Sequence, residues 1–270
     1  MSSPQPWWPL GDSDQLGAAL RHWVQVNWDT SITVGEWWQR LATAGLAAPT
    51  WDRAHGGLSA TTRVQQMIEE ELATVGAIAP PTVHAAVRLV GPALRQFATE
   101  VQVQALMPAL LCGRERWTVL MSEPDAPRPD DTTCRAEFDW KLITVEGTKC
   151  CTDPTADRAL VLTRSSGMGR EGLTWLFLDL AHGAAVPGDG VLHLQRMQLT
   201  RERVLGEKDH GWEIAKVLLP YTQRSLAGRI RRGLVHVQPG SSAGNLERTV
   251  AEVLAANAST RPPQQDRRAR

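Results

Sequence analysis

Thr99-Glu100-Val101-Gln102 opens a stretch that runs through Val103, Leu106 and Leu110 to Cys112-Gly113, and Trp117-Thr118-Val119-Leu120-Met121 follows it. The change of period between these two segments decides the fold. Thr99 and Gln102 have the spacing of a capping box, in which the Thr oxygen takes an amide proton and the Gln side chain reaches back. The apolar residues that follow recur on a helical period, and Cys112-Gly113 closes the helix. Trp117 to Met121 is a short run rich in β-branched and aromatic residues, which predicts a strand.

Upstream of this junction the chain reads as helices. Ser13 or Asp14 can cap a helix carrying Leu16, Leu20, Trp23, Val24 and Asn27. A second runs through Trp37, Trp38 and Leu41 and stops near Gly45. Ala48-Pro49-Thr50-Trp51 and His55-Gly56-Gly57 form a loop. Ser59 then opens a helix with Val64, Met67, Ile68, Leu72 and Val75 on one face, and His84 to Phe97 forms another. Downstream, Ser122 to Asp131 is a Pro- and Asp-rich loop. Strands are expected at Trp140–Val145, Ala159–Thr163, Leu173–Leu178 and Val191–Leu194, with a turn at Glu146-Gly147. From Trp212 the chain turns helical again, with Ile214, Val217 and Leu218 on one face, continued by Leu226, Ile230 and Leu234. Pro220 is expected to kink or split this segment. A last helix covers Leu246 to Ala256, and Arg261 to Arg270 reads as a polar, disordered tail. Helices followed by a block of strands predict an α+β chain. Its expected parts are an N-terminal helical domain (1–113), a middle antiparallel β-barrel-like domain (114–205), a remnant of a C-terminal helical domain (206–258) and the tail (259–270).

Composition narrows the function class. Of 270 residues, 42% are hydrophobic and 21% charged, as in a chain with a core. Lys plus Arg and Asp plus Glu both total 29, so no global field favours nucleic acid or an anionic membrane. No apolar run reaches the ~20 residues a membrane helix needs, and the first residues lack the pattern of a secretory signal. The cysteines, Cys112, Cys134, Cys150 and Cys151, lack the C-x-x-C spacing of a zinc site, so no metal is expected. They read as reduced thiols in a cytoplasmic protein. Eleven Trp against one Tyr is unusual, and the indoles read as core or interface.

The residues at several positions resemble a known family. Trp37-Trp38-Gln39-Arg40-Leu41, Ala44-Gly45-Leu46 and His55-Gly56-Gly57-Leu58 are similar to the N-terminal helical domain of acyl-CoA dehydrogenases, the actinobacterial type in particular. Gly91-Pro92-Ala93-Leu94, Phe97-Ala98-Thr99-Glu100 and Leu106 to Gly113 resemble the family's next run. Met121-Ser122-Glu123-Pro124 matches the start of its flavin loop, and Val145-Glu146-Gly147-Thr148-Lys149 a following strand. Val204-Leu205-Gly206-Glu207 through Gly211-Trp212 matches the exit into the final helical domain. These matches are collinear over about residues 20 to 230.

The resemblance implies FAD as cofactor and an acyl-CoA thioester as substrate, oxidised across its α,β carbons. A carboxylate takes the α-proton while hydride passes to the flavin. It implies that Met121 and Ser122 meet the flavin edge, and that Cys151 and Thr152 stand where a Trp and a hydroxyl residue line the ring. The family's Gly-rich loop is replaced by Asp125-Ala126-Pro127-Arg128-Pro129-Asp130. Two prolines remove amide donors and the glycines are gone. Asp153 stands where a small polar residue is usual. Where some members carry a catalytic Glu-Arg pair, this chain has Gln223-Arg224, and Gln cannot serve as a base. Glu213 lies almost three turns earlier. Ala184 to Gly190 is a short bridge where members shape the substrate mouth.

The expected function is therefore FAD-dependent dehydrogenation of acyl-CoA thioesters, in lipid or steroid side-chain β-oxidation, by a subunit dependent on a fuller paralogue. The alternative is a catalytically inactive remnant acting as a binding or scaffold subunit. Association is expected, either as a homo-oligomer or as a hetero-oligomer with a fuller acyl-CoA dehydrogenase. Helices that normally pack against a further domain would otherwise expose Leu, Val and Ile.

Overall fold

A computed structural model describes residues 7–81, 86–126, 128–151, 153, 155–180 and 190–220. It divides into two compact units. One holds residues 1–119, 152–160 and 177–185; the other holds 120–151, 161–176 and 186–270.

The first unit is built on helices. Helix α1 (Ser13–Asn27) is capped one residue before the expected position: the Asp12 carboxylate accepts the N–H groups of Asp14 and Gln15 at 3.0 Å each. Helix α2 (Val34–Thr43) starts with a Thr33/Glu36 capping box and ends beside Gly45, whose φ is +77°. Helix α3 (Thr62–Thr74) is capped by Thr61, not Ser59. Ser59 is held at φ +56° while its N–H donates to the Trp51 carbonyl at 2.8 Å, so it belongs to the preceding turn. Leu16, Leu20, Val24, Trp37, Leu41, Ile68 and Leu72 form the centre of one apolar cluster. Trp28 and Trp23 pack on Trp37 with ring centroids 4.8 and 5.6 Å away. Their neighbours' indole N–H groups find carbonyls: Trp8 on Ala44, Trp37 on Ile78 and Trp38 on Ala79. Trp8 and Trp37 are thus core with satisfied donors, as buried Trp requires, whereas the Trp117 Nε1 is buried without a partner and Trp7 and Trp140 are exposed.

The helix expected over 84–97 begins as a π-wound turn at Ala86–Val90 and continues as α4 (Gly91–Phe97). Gly91 is required there, because a Cβ would lie 2.3 Å from the Trp51 ring. Helix α5 (Glu100–Leu111) has the capping box read from the sequence. Thr99 N–H donates to Gln102 at 2.9 Å, and Gln102 N–H returns to the Thr99 hydroxyl at 3.2 Å.

The strands are β1 (Trp117–Leu120), β2 (Arg135–Phe138), β3 (Leu142–Cys150), β4 (Arg158–Arg164), β5 (Leu173–Asp179), β6 (Val191–Thr200) and β7 (Val204–Leu205). They form one sheet in the order β6-β3-β2-β4-β5-β7, with β1 paired to β4. The α+β expectation holds, but the sheet corrects its finer wording. It is mixed, since β2 pairs parallel with β4 at Arg135 and Arg164, and its described strands run as an open order. The turn expected at Glu146-Gly147 is absent. Strand β3 continues through it, and the register against β6 shifts between Val145 and Gly147, which is a β-bulge. Gly147 sits at φ +144°, and a Cβ there would come within 2.7 Å of the Cys134 backbone. β6 extends six residues beyond the expected end at Leu194, to Thr200.

Residues 211–220 are helical and bury Ile214, Ala215, Leu218 and Leu219, with Val217 only half-buried. The helical and tail readings beyond Pro220 lie outside the described residues, as does most of the bridge at 184–190. Among the described residues no helix is long and apolar enough to cross a membrane. None of the four cysteines is in a disulfide.

Candidate functional site

Strand β1 delivers Met121 and Ser122 to the end of β3, where Lys149, Cys150 and Cys151 emerge. Met121, Ser122 and Cys151 are all buried. The Cys150 N–H donates to the Ser122 carbonyl at 2.9 Å, and the Cys151 N–H donates to the Gly190 carbonyl at 2.7 Å. The Lys149 ammonium donates to the Met121 carbonyl at 3.3 Å. The structure thus brings Met121, Ser122 and Cys151 into one local arrangement. Thr152, Pro127, Gln223 and Arg224 lie outside the described residues. Asp153 accepts the backbone N–H and the hydroxyl of Thr155, at 3.0 and 2.7 Å, and so serves its own turn. Glu213 is exposed and pairs with Lys216 one helical turn away.

The centre of this arrangement is a pair that sequence reasoning did not join. Glu123 and Lys149 are 2% and 0% exposed, and their charges meet at 2.8 Å. The Glu123 carboxylate also accepts the Thr132 hydroxyl at 3.0 Å, the Thr133 hydroxyl at 2.5 Å and the Thr133 and Cys134 N–H groups at 2.9 and 3.0 Å. Lys149 donates to the Thr132 hydroxyl oxygen at 2.9 Å as well. Burial works to raise the Glu123 pKa, but the Lys149 charge and the hydrogen bonds from Lys149, Thr133 and Cys134 hold it below the usual carboxylate range. Lys149 is drawn below the usual lysine range by burial, against the attraction of Glu123. Burial pushes the Cys134 thiol up to about 11, with Lys149 opposing and Glu123 adding to it. Cys134 is therefore an inert core thiol. One signal in the sequence pointed here: Lys149 falls on the same alternation as Ile143 and Val145, which face inward on β3. An inward lysine needs a buried acceptor.

Arg164 fixes the rest of the loop. Its guanidinium donates to the carbonyls of Thr132, Asp130, Gly169 and Glu171, each at 2.9 Å. The loop's own amides turn inward. Glu123 N–H donates to the Ala126 carbonyl, Asp131 N–H to Arg128 and Thr132 N–H to Pro129. The amides of residues 123, 131–134, 150 and 151 are therefore all engaged within the chain. A flavin held here would need amides facing outward and a flat wall at the position of Cys151. These residues do not fit a flavin held by this chain alone. Two cavities of about 370 and 270 Å³ open on Arg135 and Glu137, and neither is lined by Met121, Ser122 or Cys151. Among the described residues no cluster of His, Cys, Asp and Glu could hold a metal ion.

A helical unit, a mixed sheet and a Ser-Glu-Pro loop folded onto the end of β3 form an arrangement shared with solved acyl-CoA dehydrogenase structures. Residues 19–114 match the family model described as acyl-CoA dehydrogenase, N-terminal domain. The chain is similar to the acyl-CoA dehydrogenase IpdE1 of Mycobacterium tuberculosis, with 29% identity over 205 residues, covering 68% of this chain and 52% of that protein. It is also similar to the acyl-CoA dehydrogenase FadE34 of the same organism, with 26% identity over 206 residues, covering 69% and 28%. The Tcur3481-Tcur3483 steroid ACAD shares the fold with a TM-score of 0.56 at 20% identity, covering 91% of this chain and 73% of that one. The ChsE4-ChsE5 complex from Mycobacterium tuberculosis gives 0.56 at 17% identity, covering 94% and 75%. The resemblance read from the sequence is borne out over its front part: residues 19–114 match the acyl-CoA dehydrogenase N-terminal domain, and the chain is similar to mycobacterial acyl-CoA dehydrogenases. The chain spans about half the length of IpdE1 and less of FadE34.

Proposed function

We propose that this chain is a cytoplasmic subunit of an FAD-dependent acyl-CoA dehydrogenase that oxidises lipid or steroid side-chain thioesters, and that it acts with a fuller paralogue. The observation that carries the reading is the contrast within one loop. Met121 and Ser122 are tightly held on Lys149 and Cys150, while the amides of residues 123 and 131–134 are engaged internally. The proton acceptor and most flavin contacts then come from the partner chain, consistent with Gln223 at the alternative base position. Two of the structures that share the fold are of paired chains, one of them described as a steroid ACAD.

A second reading, a catalytically inactive binding or scaffold subunit, is favoured by Cys151. A buried thiol gives no flat wall for a flavin ring. Co-expression with a fuller paralogue separates the two. The subunit reading expects a purified pair with flavin absorbance that reduces an artificial electron acceptor on adding acyl-CoA. A stable pair without colour supports the scaffold reading.

A further inference from the structure

We propose that the turn between β2 and β3 is a docking tip for an anionic lipid surface: Trp140 and Leu142 enter the headgroup layer, and Lys141, Arg201 and Lys208 meet lipid phosphates. The tip is Asp139-Trp140-Lys141. The Asp139 N–H closes it on the Leu142 carbonyl at 2.9 Å, and the Asp139 carboxylate accepts the Trp140 N–H at 2.7 Å. Arg201, just past the end of β6, staples it from the side. Its Nε donates to the Asp139 carbonyl at 3.1 Å, and its Nη2 donates to the same oxygen. A turn fixed in this way has little entropy left to lose on docking. Trp140 is nevertheless 72% exposed and Leu142 38%, so the core makes little use of either.

Cations surround these rings. The Lys141 ammonium lies 4.1 Å from the Trp140 ring centre, and the Arg201 guanidinium and Lys208 ammonium stand 5.8 and 5.2 Å from that of Phe138. Among the described residues Lys141 and Arg201 pair with no carboxylate. Lys208 is 3.5 Å from Asp209 and keeps 45% of its side chain in water. Glu202, next to Arg201 in the chain, is an exposed acid that offsets part of this charge. The whole chain is neutral, so the attraction is local and reaches about a Debye length, ~10 Å at 0.1 M salt. An exposed indole and a Leu with cations at their rim suit the headgroup layer, where Trp settles and Lys and Arg reach phosphate. A small anion calls for a concave site, and the cavities on Arg135 and Glu137 are lined by none of these residues.

The test sediments the full chain, purified alone, with vesicles of phosphatidylcholine that contain or lack an equal part of phosphatidylglycerol. The chain is expected to pellet with the anionic vesicles and stay in solution with the neutral ones, and raising the salt from about 0.05 to 0.5 M should release it. Trp140→Ala and Lys141→Glu should each lower the partition coefficient about tenfold. Trp7→Ala is the control: Trp7 is 78% exposed and outside the tip, and its loss should leave binding unchanged. All three side chains are at the surface, so Tm should hold; if Trp140→Ala lowers it, Lys141→Glu gives the reading. Excess soluble glycerol 3-phosphate should not displace the chain from the vesicles. Displacement would make the ligand a free phosphate and overturn the lipid assignment. Equal binding to neutral vesicles, or variants that bind as the wild type does, would overturn it too. So would a wild type that binds neither vesicle, and if Trp140→Ala then splits an oligomer in sizing, the tip is a protein interface.

Discussion

Lys149 has no solvent exposure, and among the described residues its charge is paired with Glu123. Lys149→Met leaves a buried carboxylate without its cation and is expected to cost about 3–5 kcal/mol in denaturant unfolding. The double variant Glu123→Gln/Lys149→Met should recover a substantial part of that loss, because no lone charge is left behind. The same pair sets an acid limit. The Glu123 pKa is lowered on folding from its ordinary 4.5, so its ionised form adds stability above that pH. That contribution drains away as the pH falls through the lowered value. Tm measured from neutral pH downward should therefore fall below pH 4.5 more steeply in the wild type than in Glu123→Gln. At this scale the sequence was partly legible. Met121, Ser122 and Cys151 could be named as neighbours because the words around them resemble a family. Glu123 and Lys149 stood in two of those words, yet their pairing depends on how a loop closes, and no local spacing encodes that.

Elements were legible where their signal is local. The Thr99/Gln102 box needs four residues and formed as read; Thr99→Ala is expected to cost about 1 kcal/mol in equilibrium unfolding. Boundaries failed where a tertiary contact overrode a local preference. Ser59 has a capping hydroxyl, but its amide is tied to Trp51 and its backbone is left-handed, so Thr61 takes the cap. Glu146-Gly147 has turn chemistry, yet β3 runs on through it: the extra residue of the bulge falls on β6 between Leu194 and Met197, where Arg196 has φ +50°, and Gly147 lies where β3 passes close to Cys134. Strand β2 carried no readable signal, because four residues with two charges alternate too briefly. Gly147→Val should test this close approach. The added side chain meets Cys134 at a φ that β-branched residues avoid, and the variant is expected to be destabilised by at least 1–3 kcal/mol in thermal unfolding.

For the whole molecule, the order of helices, then strands, then a helical stretch gave the α+β class directly. The open, mixed sheet could not be read in advance, because strand order depends on pairings between distant segments. The functional claim also belongs to this scale. The loop from Glu123 to Cys134 folds onto the end of β3 with the amides of residues 123 and 131–134 engaged within the chain, and under the proposed function redox chemistry belongs to a complex rather than to this polypeptide. Visible absorbance of the chain purified alone and then with a fuller paralogue, with acyl-CoA added to each, tests this most directly. The expected result is a colourless single chain and a yellow pair that bleaches on adding substrate. A single chain that is itself yellow and bleaches with acyl-CoA would contradict it.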